Sequence, residues 1–339
     1  MKAIYTGRAA DKSMIGKIFI TSFLGALLLA PVPSSGDRAP VIPGAKETFA
    51  VSPSPWEDRV LLYALKKNVQ GETAAYVPGS LYTLSKSGNS WSVREMKTIA
   101  ADMDSGKIVW AKGNAYATSS SGIFLLRPSA APRKIYSGKA TGLAVSKDGV
   151  YLAFWQSPKK GDTLTVVRAS NGHVVRRWTR PYHLPTESSG WEMVFTPDGK
   201  SILARTYDEE EDTHLKSFNL HTGSITTLLE GCNSVVQSGA AIFVFGGQGE
   251  SKGLYEFAGG QLQLLMHIDE EDSLTPTAHD GLVVVTNTFD KHLLIYDVAN
   301  HSSQAVKGCE DGTVLKSGQQ IFFLHGKIFP GSAGCPNPN

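Results

Sequence analysis

The chain has 339 residues, of which 41% are hydrophobic and 19% charged, with a formal net charge of +2. That balance excludes an intrinsically disordered chain and a membrane-embedded one. It also gives no reason to expect a nucleic-acid partner, because no Lys/Arg run interleaved with aromatic residues is present.

Residues 1–36 differ in kind from the rest. Lys2, Arg8, Lys12 and Lys17 precede an apolar run from Ile18 to Ala30, and the small-residue stretch Pro31 to Gly36 follows. A positive region, a short apolar core and a small-residue exit are the three parts of a secretory signal peptide. The run is shorter than the roughly 20 residues a bilayer-spanning helix needs, so a permanent anchor is the weaker alternative. A start at Met14 gives a signal of ordinary length, with cleavage after Ser34 or Gly36. A helix retained in the mature protein is the competing reading. The expected compartment is periplasmic or secreted, with no membrane insertion after signal removal.

Beyond it, one phrase recurs: a short apolar strand, a polar turn usually holding Gly or Asn, then a second strand. Copies begin at Leu81, Ile123, Leu164, Leu215, Leu254 and Leu293, at intervals of 42, 41, 51, 39 and 39 residues. A period near forty with strands and no helices predicts an all-β fold, a β-propeller of four-stranded blades. Naming each blade's strands a to d from the axis outward, the third blade reads Gly142–Ser146, Val150–Trp155, Leu164–Arg168 and His173–Trp178. The fourth reads Trp191–Phe195, Ser201–Tyr207, Leu215–Leu220 and Ser224–Leu229. Their a–b turns, Ser146-Lys-Asp-Gly149 and Thr196-Pro-Asp-Gly199, use Asp to bond back to the backbone and Gly for a left-handed position.

Met193-Val-Phe-Thr-Pro-Asp-Gly-Lys-Ser-Ile-Leu203 resembles the repeat of the TolB-like, WD40-related propellers of bacterial envelope proteins, and Ala144 to Leu152 is a weaker copy. The likeness covers two blades well and the others by spacing. The residues ahead of the first phrase leave no room for the α/β domain that precedes the propeller in the family's namesake. The resemblance therefore implies a fold and a compartment rather than the namesake's role.

The remaining blades follow by spacing: about 47–97, 104–136, 234–268 and 274–306. A last unit, 313–316, 319–325 and 327–329, lacks an outer strand, which Arg38–Pro43 is positioned to supply. Seven blades closed by this N-terminal strand are expected, with six blades and a tail as the alternative. A single domain spans residues 37–330, and 331–339 form a C-terminal tail. A closed ring has no obligatory edge to pair, so a monomer is expected.

In a propeller the b–c and d–a connections emerge on one face, and here they are the long ones. They are Lys67–Gly79, Gln156–Asp162, Thr179–Gly190, Tyr207–His214, Gly246–Gly253, Ile268–Ser273 and Asn287–His292. Long loops on a rigid scaffold are where binding concentrates. Two acidic runs fall on that face, Asp208-Glu209-Glu210-Glu211-Asp212 and Asp269-Glu270-Glu271-Asp272. Asp102, Asp104, Glu310 and Asp311 are candidates to join them near the axis. Tyr76, Tyr182, His183 and Tyr207 complete the candidate partner-binding set. The competing account of the acidic runs is a solvated loop that aids solubility. A calcium site built from Asp208, Asp212, Asp269 and Asp272 is the weaker alternative, because neither run has the spacing of a dedicated calcium loop.

Catalytic signals are few. His183, His214 and His292 lie on the same face in different blades, whereas His173, His221 and His301 sit at outer turns. No Cys-x-x-Cys-His or phosphate-binding loop is present. Gly246–Gly253 reads more simply as a flexible b–c loop. Trp110, Trp155 and Trp191 fall on inner strands, where packing between blades is expected. Of the three cysteines, Cys309 and Cys335 are the candidate disulfide pair and Cys232 is left over; all three unpaired is the alternative. The functional expectation is an exported, non-enzymatic binding or scaffold module that docks a protein or peptide on the long-loop face, without a cofactor. A propeller hydrolase or lyase, lactonase-like or sugar-cleaving, with a metal or acid–base pair in the axial mouth, is the alternative.

Overall fold

A computed structural model describes residues 48–53, 59–70, 73–87, 90–98, 108–119, 121–127, 130–156, 162–179, 192–208, 212–267, 273–275, 282–287, 292–307, 313–317, 320–325 and 327–330. Among them the backbone forms successive antiparallel sheets, each built from strands consecutive in the chain and paired a-b-c-d in that order. The first is Thr48–Pro53, Arg59–Gln70, Thr73–Ser87 and Ser90–Thr98; the second is Ile108–Ala111, Asn114–Ser119, Gly122–Leu126 and Arg133–Ser137. The third is Thr141–Val145, Tyr151–Gln156, Thr163–Arg168 and Val174–Thr179; the fourth is Met193–Phe195, Ser201–Tyr207, Thr213–Asn219 and Ile225–Glu230. The fifth is Cys232–Ser238, Ala241–Gly246, Gly253–Ala258 and Gln261–His267; the sixth is Ser273–Thr275, Leu282–Asn287, His292–Asp297 and Ser302–Lys307. A three-stranded unit, Thr313–Ser317, Gln320–His325 and Lys327–Pro330, follows. Sheets two to five are described with their side chains, and the rest largely by backbone.

The spacing located these strands to within one or two residues in sheets three and four. One expected loop is corrected. Lys67–Gly79 was expected as a b–c loop, but the ladder of sheet one runs through it, pairing Lys67 with Tyr76 and Gln70 with Thr73. Tyr76 therefore lies on a strand. Alternation there is weak, so the pattern gave no reason to extend the hairpin.

Sheets three, four and five each share their apolar residues with both neighbours. In sheet three, Leu143, Val145, Leu152 and Phe154 pack with Tyr116, Ile123 and Leu125 of sheet two. Ala144, Ala153 and Trp155, the alternating residues of the same strands, pack with Met193, Phe195, Ile202 and Phe218 of sheet four. Successive side chains of a strand point to opposite faces, so a strand covered on both sides must be apolar throughout. That is why Leu152-Ala-Phe-Trp155 is an unbroken apolar run, each residue fully buried. The pattern continues: Val194, Leu203 and Leu215 meet Val235, Ile242 and Val244 across sheets four and five. Phe243, Phe245 and Leu254 then meet Val283 and Tyr296 across sheets five and six.

Trp110 and Trp155 are buried on strands of sheets two and three, and Trp155 meets the Phe218 ring edge-on at 6.2 Å between centroids. Trp191 lies outside the described residues. The outermost strands are half-wet, as Val174–Thr179 shows: Val175 and Arg177 are exposed, while Trp178 is buried.

The a–b turns of sheets three and four are near copies. The Ser146 hydroxyl donates to Asp148 Oδ1 at 2.6 Å, and the same oxygen accepts the Val150 N–H at 3.0 Å. The Thr196 hydroxyl donates to Asp198 Oδ1 at 2.7 Å, and that oxygen accepts the Lys200 N–H at 3.0 Å. Gly149 and Gly199 follow with φ of 71° and 69°, the left-handed position the sequence anticipated. These turns lie on the face opposite the b–c connections.

Candidate functional site

The described part of the b–c and d–a face is centred on sheets four and five. Strand b of sheet four ends at Tyr207, and its neighbour c begins at Thr213, so the acidic run bridges a hairpin. Its two ends are pinned to each other. The Asp208 N–H donates to the Asp212 carbonyl at 3.1 Å, and the Asp212 N–H donates to Asp208 Oδ1 at 2.9 Å. Asp208 Oδ2 lies 2.9 Å from Nε2 of His214, the second residue of strand c. The Asp208 carboxylate thus serves both a backbone amide and an imidazole. Asp212 is exposed and His214 mostly covered.

Beneath this hairpin lies a cluster that patterning did not single out. Tyr207, expected where strand b passes into the long loop and as a contact residue, is the last residue of strand b and only 8% exposed, with the Arg205 guanidinium 5.2 Å from its ring centroid. The Arg205 backbone N–H donates to the Glu192 carbonyl, just ahead of strand a, at 3.1 Å. The Glu192 carboxylate reaches across to sheet five and accepts the Val235 N–H at 2.8 Å. Cys232 sits fully buried between these groups as a free thiol. Burial, reinforced by the Glu192 carboxylate and opposed by Arg205, pushes its pKa up to about 12. A neutral thiol here is packing, not a nucleophile. Glu192 and Arg205 were legible only as polar interruptions of otherwise apolar strands.

The Gly246–Gly253 connection is a compact turn. Residues Gly249–Ser251 form one 3₁₀ turn, and the Ser251 hydroxyl donates to the Gln248 carbonyl at 2.8 Å. The Tyr255 hydroxyl bonds to the Ser251 carbonyl. The loop is therefore tied to its own strand.

The other candidates divide as follows. Tyr182, His183, Glu209, Glu210, Glu211, Asp269, Glu270, Glu271 and Asp272 lie outside the described residues, as do Asp102, Asp104, Glu310, Asp311, Cys309 and Cys335. His292 opens strand c of sheet six, its backbone paired with Asn287 and Lys307. His173, His221 and His301 are exposed at outer turns, as expected. Asp208, Asp212 and His214 are brought together within one hairpin. Among the described residues no three His, Cys, Asp or Glu side chains converge to hold a metal ion.

No family model matches the chain. No curated protein matches it either. Solved structures do resemble it. The β-propeller domain of the Trilobed protease from Pyrococcus furiosus, described as having an open velcro topology, is 14% identical with a TM-score of 0.52, covering 83% of this chain and 89% of that one. A TolB candidate from Agrobacterium tumefaciens is 16% identical with a TM-score of 0.46, covering 66% and 87%. A chain of the nidogen/laminin complex is 12% identical with a TM-score of 0.45, covering 74% and 93%. The first of these, with the four-stranded sheets in chain order, establishes a β-propeller fold.

Proposed function

We propose that this β-propeller is an exported binding and scaffolding module that docks a protein or peptide partner on the face of the b–c and d–a loops. The observation that carries the reading is the pinned acidic hairpin 208–212. Its ends are clamped by the reciprocal Asp208–Asp212 bonds and by His214, on strands packed into shared cores. Pinned ends lower the entropy lost when a partner docks, and the run's negative charge selects a cationic surface. In this proposal Asp269–Asp272 adds a second acidic run, with Tyr182 and His183 beside it and Tyr207 as support beneath.

The proposal extends to architecture. Residues 1–36 act as the signal for export to the periplasm or the exterior. Residues 37–330 form seven blades, with 38–43 as the outer strand of the last, and the mature protein is monomeric. Deleting 38–43 should lower the melting temperature by several degrees, because an uncovered edge strand remains. An unchanged melting temperature would remove that strand from the scheme.

The functional test is affinity capture from the protein's own envelope or secretome fraction, with the native chain and with Asp208–Asp212 changed to Lys. The native chain should retain partners that elute with salt and that the reversed chain fails to hold. Recovery of the same partners by both sinks the acidic-face reading.

A further inference from the structure

The opposite face, formed by the a–b and c–d turns, has a different character. On the turns of sheets two to five and the strand residues bordering them, the cations are Lys112, Arg127, Arg133, Lys147, Arg168 and Lys200, all exposed. Two carboxylates oppose them, and both are engaged by their own turns. Asp148 accepts from Ser146 and Val150; Asp198 accepts from Thr196 and Lys200 and lies 3.8 Å from the Lys200 ammonium. Sheet six contributes Asp297, whose carboxylate accepts from the Asn300 side chain at 2.9 Å. Exposed His173 and His221 lie on the same turns.

These turns are neighbours in space, not only by topology. A Cβ on Gly149, in the a–b turn of sheet three, would lie 3.9 Å from the Cβ of Lys112 in the a–b turn of sheet two. Arg176 of sheet three donates to the carbonyls of Leu220 and His221 in the c–d turn of sheet four at 3.1 and 2.9 Å. Three exposed aliphatic side chains border the same turns: Val150 (40% exposed), Val175 (38%) and Ile225 (50%). Cations interspersed with exposed aliphatics, spread over the turns of three adjoining sheets, match what an acidic bilayer offers. The cations meet phosphate-bearing headgroups and the aliphatics enter the acyl boundary, with no shaped cleft required.

We propose that the turn face of sheets two to four is a docking surface for anionic phospholipid headgroups. The propeller then lies peripherally on a membrane by one face and keeps the acidic hairpin directed away from it. This surface is independent of the acidic one, so either assignment can fail alone.

The test is flotation of the purified full chain with vesicles of phosphatidylglycerol and phosphatidylcholine, against vesicles of phosphatidylcholine alone. Partition to the anionic vesicles should exceed that to neutral ones by about tenfold at low salt and fall steeply as salt screens the surface. Changing Lys112, Lys147 and Lys200 together to Glu should abolish the preference while leaving the melting temperature within a few degrees, since all three side chains are exposed. Equal partition to both vesicle types, or no partition to either, overturns the proposal, as does a triple variant that floats like the native chain. Retention on immobilised polyglutamate without vesicle partition also overturns it, and assigns the surface to an acidic protein. Reversal of Asp208–Asp212 should leave flotation unchanged; loss of flotation in that variant overturns the assignment to the turn face.

Discussion

Trp178, on the outermost strand of sheet three, donates its indole N–H to the carbonyl oxygen of Gly223, in the c–d turn of sheet four, at 2.9 Å. The bond joins two sheets far from their inner strands, where the core is thinnest. The ring also packs against Phe218 at 5.4 Å between centroids. Trp178→Phe keeps most of the packing and loses the bond, so it should cost about 1 kcal/mol in denaturant unfolding. Trp178→Ala loses both and should cost about 3–5 kcal/mol. Equal costs for the two variants would refute a role for the indole N–H.

Two glycines with the same backbone conformation should respond differently to alanine. Gly172 and Gly199 have φ of 73° and 69°. A Cβ on Gly199 meets nothing within 4 Å, whereas a Cβ on Gly172 would overlap the carbonyl oxygen of Ile135, on the outermost strand of sheet two. Gly199→Ala should therefore cost only the left-handed penalty of about 1–2 kcal/mol. Gly172→Ala should cost clearly more, since backbone of the adjoining sheet must move. Calorimetric melting of the two variants decides it.

Asp198 makes the turn of sheet four pH-sensitive. Partial burial raises its pKa, but the Lys200 N–H, the Thr196 hydroxyl and the Lys200 charge outweigh this and hold it below its ordinary value of 3.8. A depressed folded-state pKa contributes stability that is complete above the unfolded value and lost as pH falls through the folded one. Asp198→Ala should lower stability by about 1 kcal/mol at neutral pH. The gap between variant and native melting temperatures should narrow as pH falls below 3.8. A gap that stays constant from pH 7 to 2 removes the ionised carboxylate from the account.

Cys232 has the opposite sign. Its thiol pKa is raised from 9.0 to about 12, so the fold favours the neutral form. The resulting stability is complete below the unfolded value and fades as pH rises toward 12. Labelling with a thiol reagent at pH 8, followed by peptide mapping, should leave Cys232 unmodified in the native protein and modified after unfolding. Native-state labelling at the rate of an exposed cysteine would contradict its burial.

Much of this fold was legible because its signals are local. Thr196-Pro-Asp-Gly199 specifies its own turn through a hydroxyl, a carboxylate and a glycine, and Ser201–Tyr207 was located to the residue. Apolar runs such as Leu152–Trp155 announce strands covered on both faces. The site was less legible, because its relationships cross between strands and sheets. The 208–212 run was visible as charge, but its clamp by His214 depends on the register of a hairpin whose closing residues are polar on both sides. Tyr207 closes its strand as expected, but a tyrosine before an acidic run reads as an exposed contact residue, and its burial, with the Arg205 guanidinium 5.2 Å from its ring, has no sequence signature. The Glu192–Val235 bond joins residues 43 apart and has no sequence signature.

The sharing of every described core between two sheets makes the junction, rather than the sheet, the unit of stability. Leu152 and Ala153 are adjacent in the chain and belong to different cores. Excising one sheet would therefore strip two interfaces, and its former neighbours meet again only if their facing residues agree. Copy number in such a chain can drift by duplication or loss of a forty-residue unit, with selection acting on how well the new neighbours fit.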